Sequence, residues 1–98
     1  MPASLHVNEY GAISIRGDLD FQSVPELCQN SAKLFSAQTA LRIDLTDVNR
    51  CDSSGVALLV EWLRQARSGG QRLEFVNIPM QMQAIIQVTD LEELLPLE

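Results

Sequence analysis

Two strand-like segments with a helix pattern between them constrain this chain more than any other feature. Leu41-Arg42-Ile43-Asp44-Leu45 alternates apolar and charged residues, as a half-buried strand does, and Leu73-Glu74-Phe75-Val76 reads as the next strand. Between them, Val56, Leu59, Val60, Leu63 and Ala66 recur at the spacing of one helix face. Gly69-Gly70 then ends the helix. A strand–helix–strand crossover lays its two strands side by side in parallel. The chain is therefore expected to build around a parallel pair.

The flanking segments complete the expectation. Leu5-His6-Val7 and Ala12-Ile13-Ser14-Ile15-Arg16 flank Asn8-Glu9-Tyr10-Gly11, a hairpin signal with glycine at the turn. Ser23-Val24-Pro25-Glu26 opens a helix, with Ser23 as cap, Glu26 closing a capping box and Pro25 in the first turn. Val24, Leu27, Cys28, Ser31, Leu34 and Phe35 continue it on one face. A third helix is expected from Met80 to Val88, and Thr89-Asp90 should cap a short turn over Leu91 to Leu95. An antiparallel hairpin joined to parallel crossovers predicts a mixed four-stranded sheet backed by helices, an α/β single-layer sandwich. At 98 residues, the expectation is one domain over 1–98 with one core.

Composition narrows the function classes. The net charge is -6 and the Lys and Arg residues are scattered singly, whereas nucleic-acid binding needs clustered cations. No stretch approaches the roughly 20 apolar residues that span a bilayer, so direct membrane insertion is not expected. Met1-Pro2-Ala3-Ser4-Leu5 lacks a basic region and a hydrophobic signal core, which points to a cytoplasmic location. Cys28 and Cys51 have no CxxC spacing and read as two buried thiols.

Catalysis is hard to build from these residues. The single histidine, His6, lies in the first strand, far in sequence from either serine of the Cys51-Asp52-Ser53-Ser54-Gly55 segment. That segment lacks the first glycine of a G-x-S-x-G elbow. Ser68-Gly69-Gly70 lacks the lysine and hydroxyl of a phosphate loop. Asp18 and Asp20 have no further ligands at calcium-loop spacing and read as turn and cap groups. No catalytic residue, metal site or cofactor is expected.

The segment 51–55 nevertheless stands where a strand hands over to a helix. Free backbone N–H groups and the positive end of the helix dipole collect there, which suits a cap, an anion or a partner's backbone. Leu58 and Trp62 fall on a flank of the helix, well off its core-facing direction. Either a neighbouring helix covers them, or they form an exposed anchor beside the turn, as interface aromatics do. The third helix carries no charge from Pro79 to Thr89, as partner-binding cores tend not to. A docking face of Asp52, Ser53, Ser54, Gly55, Leu58, Trp62, Met82 and Gln83 is the resulting expectation. If Ser53 were only an N-cap, Ala there would cost about 1 kcal/mol and leave binding intact.

The run from Ile43 to Leu59, with Asp52-Ser53-Ser54-Gly55 after an apolar strand, resembles the signature of the STAS domain (sulfate transporter and anti-sigma antagonist). Gly17-Asp18-Leu19-Asp20 is similar to that family's strand-ending G-x-L-D, and Phe75-Val76-Asn77 resembles its last core strand. The likeness spans nearly the whole chain and implies a non-catalytic module with the α/β layout above. Ala57 to Arg67 resembles MlaB-like members in particular. They imply a cytosolic subunit that binds and regulates the ATPase (MlaF-like) of an ABC complex, and is peripheral to the inner membrane through that partner. That complex moves phospholipids between the membranes of Gram-negative bacteria and maintains outer-membrane lipid asymmetry, and the hydroxyl that matters would be Ser53. In the alternative, an anti-sigma factor antagonist, a serine kinase anti-sigma factor phosphorylates the serine before the glycine, here Ser54. Many MlaB-like turns carry a small non-hydroxyl residue at that place, so Ser54 keeps the second reading open.

Overall fold

The computed structural model describes residues 3–7, 12–37, 39–89 and 91, with only the backbone of 33–37. Its elements are β1 (Ser4–Val7), β2 (Ile13–Leu19), α1 (Val24–Ala37), β3 (Ala40–Cys51), α2 (Ser53–Ser68), β4 (Arg72–Val76) and α3 (Met80–Val88). They form one sheet in the order β1-β2-β3-β4. β1 and β2 are antiparallel, and the other two pairs are parallel. The helices pack along the sheet with α2 between α1 and α3. The expected mixed α/β sheet is thus the observed one. The hairpin turn Asn8–Gly11, the side chains of Leu34 and Phe35, and the Asp90 cap with its turn to Leu95 lie outside the described residues.

β3 is the element that departs most from expectation. Its period-two pattern ends at Leu45, yet the strand continues to Cys51 and α2 begins at Ser53, ahead of Val56, the first apolar position of its face. The reason lies in its register with β2. Ser14 faces Asp44 and Arg16 faces Asp47, then Gly17 faces Val48 and Asp18 faces Arg50. Each shift inserts one extra residue into β3, which is what a β-bulge does. Core positions therefore fall at Leu45, Val48 and Cys51, three apart rather than two. Gly17, opposite Val48 and between the two shifts, takes φ 101°, a conformation open to glycine and costly for other residues.

α2 ends in a Schellman motif, with Gly70 at φ 69°, Gln71 N–H donating to Ala66 O and Gly70 N–H to Arg67 O. Val56, Leu58, Leu59, Trp62, Leu63 and Ala66 are all buried on this helix. Leu58 and Trp62 are therefore not surface anchors, which corrects the exposed alternative. The neighbouring helix explains their wide apolar arc: Trp62 Nε1 donates to Ser31 Oγ of α1 at 2.8 Å, and Ser31 Oγ donates to Cys28 O at 2.9 Å. Ser31 and Trp62 are both fully buried, so the pair fixes how α1 and α2 meet. Met82 of the expected docking face is likewise buried, because α3 turns its Met82–Ile86 edge to the core.

On the other face of the sheet, charged residues alternate with the core positions. Arg16 pairs with Asp47 at 3.7 Å and Arg42 with Glu74 at 3.5 Å. All four side chains are well exposed, so these pairs keep the face solvated and add little stability.

The Ser31–Trp62 bond gives a direct test of helix packing. Ser31→Ala removes a buried acceptor and should cost about 1–3 kcal/mol in urea denaturation. An unchanged denaturation midpoint would show that the hydroxyl plays no part.

Candidate functional site

The ends of the two central strands and the starts of α2 and α3 converge on the segment 51–55. Asp52 lies beyond the last residue of β3, and its N–H donates to Leu19 O at the end of β2 at 3.1 Å. Its side chain turns over the start of α2 and accepts from Ser54 N–H at 2.8 Å, while its carbonyl accepts from Gly55 N–H at 3.0 Å. Asp52 is therefore the N-cap. Ser53 is the first helical residue and is exposed, so the alternative in which it serves only as the N-cap is corrected. The physical consequence is that the positive end of α2 is already answered by a carboxylate of this chain. The turn is built as a cap, with its hydroxyls left over.

Among the described residues, neither Ser53 Oγ nor Ser54 Oγ takes part in a hydrogen bond. Ser54 is half-buried and Gly55 buried. A Cβ at Gly55 would stand 3.0 Å from Leu19 Cβ and 3.2 Å from Leu19 O, so only glycine lets α2 start this close to β2.

The approach to α1 flanks the turn on one side. Asp20 Oδ1 accepts from the N–H groups of Gln22 and Ser23, each at 3.0 Å. Ser23 Oγ donates back to Asp18 O at 2.7 Å, so the capping box expected with Glu26 does not form. This loop carries Phe21, 71 % exposed, two residues beyond the Leu19 that bonds Asp52. On the other side, Gln81 Oε1 of α3 accepts from Cys51 N–H at 3.1 Å, and its neighbour Met80 is 85 % exposed. Gln83 is exposed and donates through Nε2 to Ile78 O.

Two of the large exposed apolar side chains thus stand either side of the serine turn. Sequence periodicity missed both: Phe21 lies in a loop without a period, and Met80 looks like one more apolar residue in an uncharged helix. Leu58, Trp62 and Met82 lie beneath this surface, while Asp52, Ser53, Ser54 and Gln83 reach it.

Other reactive groups sit elsewhere. His6 is exposed and bonded to Ser4 Oγ at 2.9 Å. Burial, with the Asp52 carboxylate beside it, pushes the Cys51 thiol up, so it stays protonated and inert at neutral pH. Cys28 is only half-buried. A groove of about 930 Å³ between the start of β1 and the first turns of α1 is lined by Asp18, Asp20 and Glu26, and none of residues 51–55 reaches it.

A family model described as "Mlab, STAS domain" matches residues 6–96. This chain belongs to the STAS domain family. The STAS chain is 26 % identical over 83 residues to the anti-sigma-B factor antagonist of Bacillus subtilis, covering 85 % of this chain and 76 % of that protein. An anti-sigma factor antagonist from Mycobacterium paratuberculosis shares the STAS fold at a TM-score of 0.83 with 22 % identity, over 97 % of this chain and 84 % of that one. The phosphorylated form of the Bacillus cell fate determinant SpoIIAA superimposes at 0.71 with 21 % identity, over 98 % and 90 %. Among the described residues no helix is long and apolar enough to cross a membrane.

Two outcomes test this geometry. Asp52→Ala should cost about 1 kcal/mol of stability through loss of the cap, and Ser53→Ala less than about 0.5 kcal/mol. The reverse order in urea denaturation would contradict the assignment of Asp52 as cap. The second concerns acid. Burial alone would raise the Asp44 pKa, but bonds from Thr46 and Asn77 outweigh it and hold the carboxyl below its ordinary value. The Asp20 carboxyl is held low chiefly by Ser23 N–H. A carboxyl lowered on folding contributes stability that is present above its unfolded pKa and lost as pH falls through the folded one. Melting temperature should therefore fall below about pH 4, less steeply in Asp44→Asn. An identical acid limb in the variant would contradict this.

Proposed function

We propose that this STAS domain is a non-catalytic binding subunit that docks on, and regulates, the ATPase of an ABC phospholipid transporter that maintains outer-membrane lipid asymmetry. The observation that carries the docking part is the surface at the ends of the parallel strands. Two unengaged serine hydroxyls are flanked there by exposed Phe21 and Met80, beside a helix with no charge from Pro79 to Thr89. Apolar anchors around a polar centre with donors and acceptors to spare suit a protein partner. The Mlab description of the matching family model supports the choice of partner.

In this reading Ser53, exposed at the first position of α2, hydrogen-bonds the ATPase, and Phe21, Met80 and Gln83 pack around it. Leu58, Trp62 and Met82 act from below, holding α2 and α3 in place. The protein would then be held at the inner membrane by its partner rather than by inserting itself.

A second reading is supported by the relatives' own names, which are those of anti-sigma factor antagonists. A serine kinase would then phosphorylate Ser54. The phosphate would add about -1.5 to -2 charges in the first turn of α2. Asp52 already occupies that helix terminus, so the two anions would compete for the same N–H groups and disturb the turn.

Co-purification with the ATPase encoded beside this chain tests the first reading. Phe21→Ser and Met80→Ser are expected to weaken the complex about tenfold or more each, while Arg16→Ala on the opposite sheet face leaves it intact. No association of the wild-type chain would overturn the reading. Addition of one phosphate by a serine kinase, seen as intact mass and lost in Ser54→Ala, would favour the second.

A further inference from the structure

β3 outruns its neighbour. β4 pairs with it only as far as Asp44 opposite Val76, so from Leu45 to Cys51 no strand among the described residues pairs on that side. A buried backbone N–H left there needs another acceptor. For Cys51 that acceptor is the side chain of Gln81, reaching in from the first turn of α3. The residue after Cys51 is Asp52, the cap of α2, and the residue before Gln81 is the exposed Met80. One hydrogen bond thus joins the two halves of the surface described above.

The start of α3 is itself held firmly enough to act as an anchor. Asn77, at φ 58°, donates through Nδ2 to Asp44 Oδ1 at 3.1 Å. Gln83 Nε2 donates to Ile78 O at 2.9 Å, and Ile78 and Met82 are buried in the core. Pro79, the N-cap of α3, offers no side-chain bond, so these tethers set the position of its first turn.

We propose that Gln81 is a positioning residue: it holds the end of β3, and with it Asp52 and Ser53, at a fixed spacing from Met80, so that the serine turn and α3 meet a partner as one surface. The proposal rests on the docking reading above, and its test separates the two. Gln81→Met keeps the length of the side chain and removes the acceptor, whereas Gln81→Glu keeps an acceptor. Amide hydrogen exchange of the isolated protein reads the coupling. In Gln81→Met, the Cys51 and Gly55 amides should exchange about tenfold faster or more, a larger change than at Ile43 and Leu59, in a domain that still folds with its melting temperature lowered by several degrees. Gln81→Glu should keep the wild-type protection. Unchanged protection in Gln81→Met, or equal loss in both variants, would overturn the coupling.

Affinity for the co-purifying ATPase then reads its use. A loss of about tenfold in Gln81→Met, with the fold intact, supports the positioning role. Wild-type affinity in Gln81→Met, while Phe21→Ser binds weakly, would overturn it and leave the docking face standing. Wild-type affinity in Phe21→Ser and Met80→Ser as well would instead overturn the docking face.

Discussion

The length of β3 is the constraint on which the rest of the structure depends. Two bulges carry this strand past the end of β4, and its last residues must be satisfied from three directions. Leu19 O takes the N–H of Asp52, Asp52 caps α2, and Gln81 takes the N–H of Cys51. Gly55 allows α2 to start within van der Waals reach of Leu19. The three hydrogen bonds answer backbone N–H groups at the strand end and the helix start, and with Gly55 they bring β2, β3, α2 and α3 to one place. The site is thus a consequence of how the sheet ends.

Much of this was legible in the sequence. The parallel pair, the order of elements, the bounds of α3 and the stop at Gly69-Gly70 follow from periodicity and glycine placement, which are local signals. The end of β3 was not legible, because a bulge changes the core spacing from two to three and period-two reasoning stops at Leu45. Leu58, Trp62 and Met82 look like surplus apolar residues until α1 and the sheet are in place. Ser31, a small polar residue on an apolar face, is what receives the Trp62 indole, and one sequence does not announce such a pair 31 residues apart. Asp52 rather than Ser53 is the cap because one residue separates β3 from α2 and that residue is extended. Phe21 and Met80 needed the fold before their exposure could be seen.

The burial of Trp62 moves the docking face outward. A surface with that indole at its centre would have been an interface of the aromatic hot-spot type. The surface that remains is a serine turn with one apolar side chain on each flank and an uncharged helix beside it. It offers the two serine hydroxyls for hydrogen bonding, and the half-buried Asp52 carboxylate beside them is engaged by Ser54 N–H. Such a surface discriminates by shape and by the pairing of hydroxyls. The charged face of the sheet, with Arg16, Asp47, Arg42 and Glu74 in exposed pairs, is suited to water.

The measurement that bears most directly on this account is a partner footprint at residue resolution, by hydrogen exchange of the chain alone and in complex. New protection is expected at residues 20–23, 52–55 and 80–83, with Arg16, Arg42 and Glu74 on the opposite face unchanged. Protection centred on that charged face, with the serine turn untouched, would contradict it.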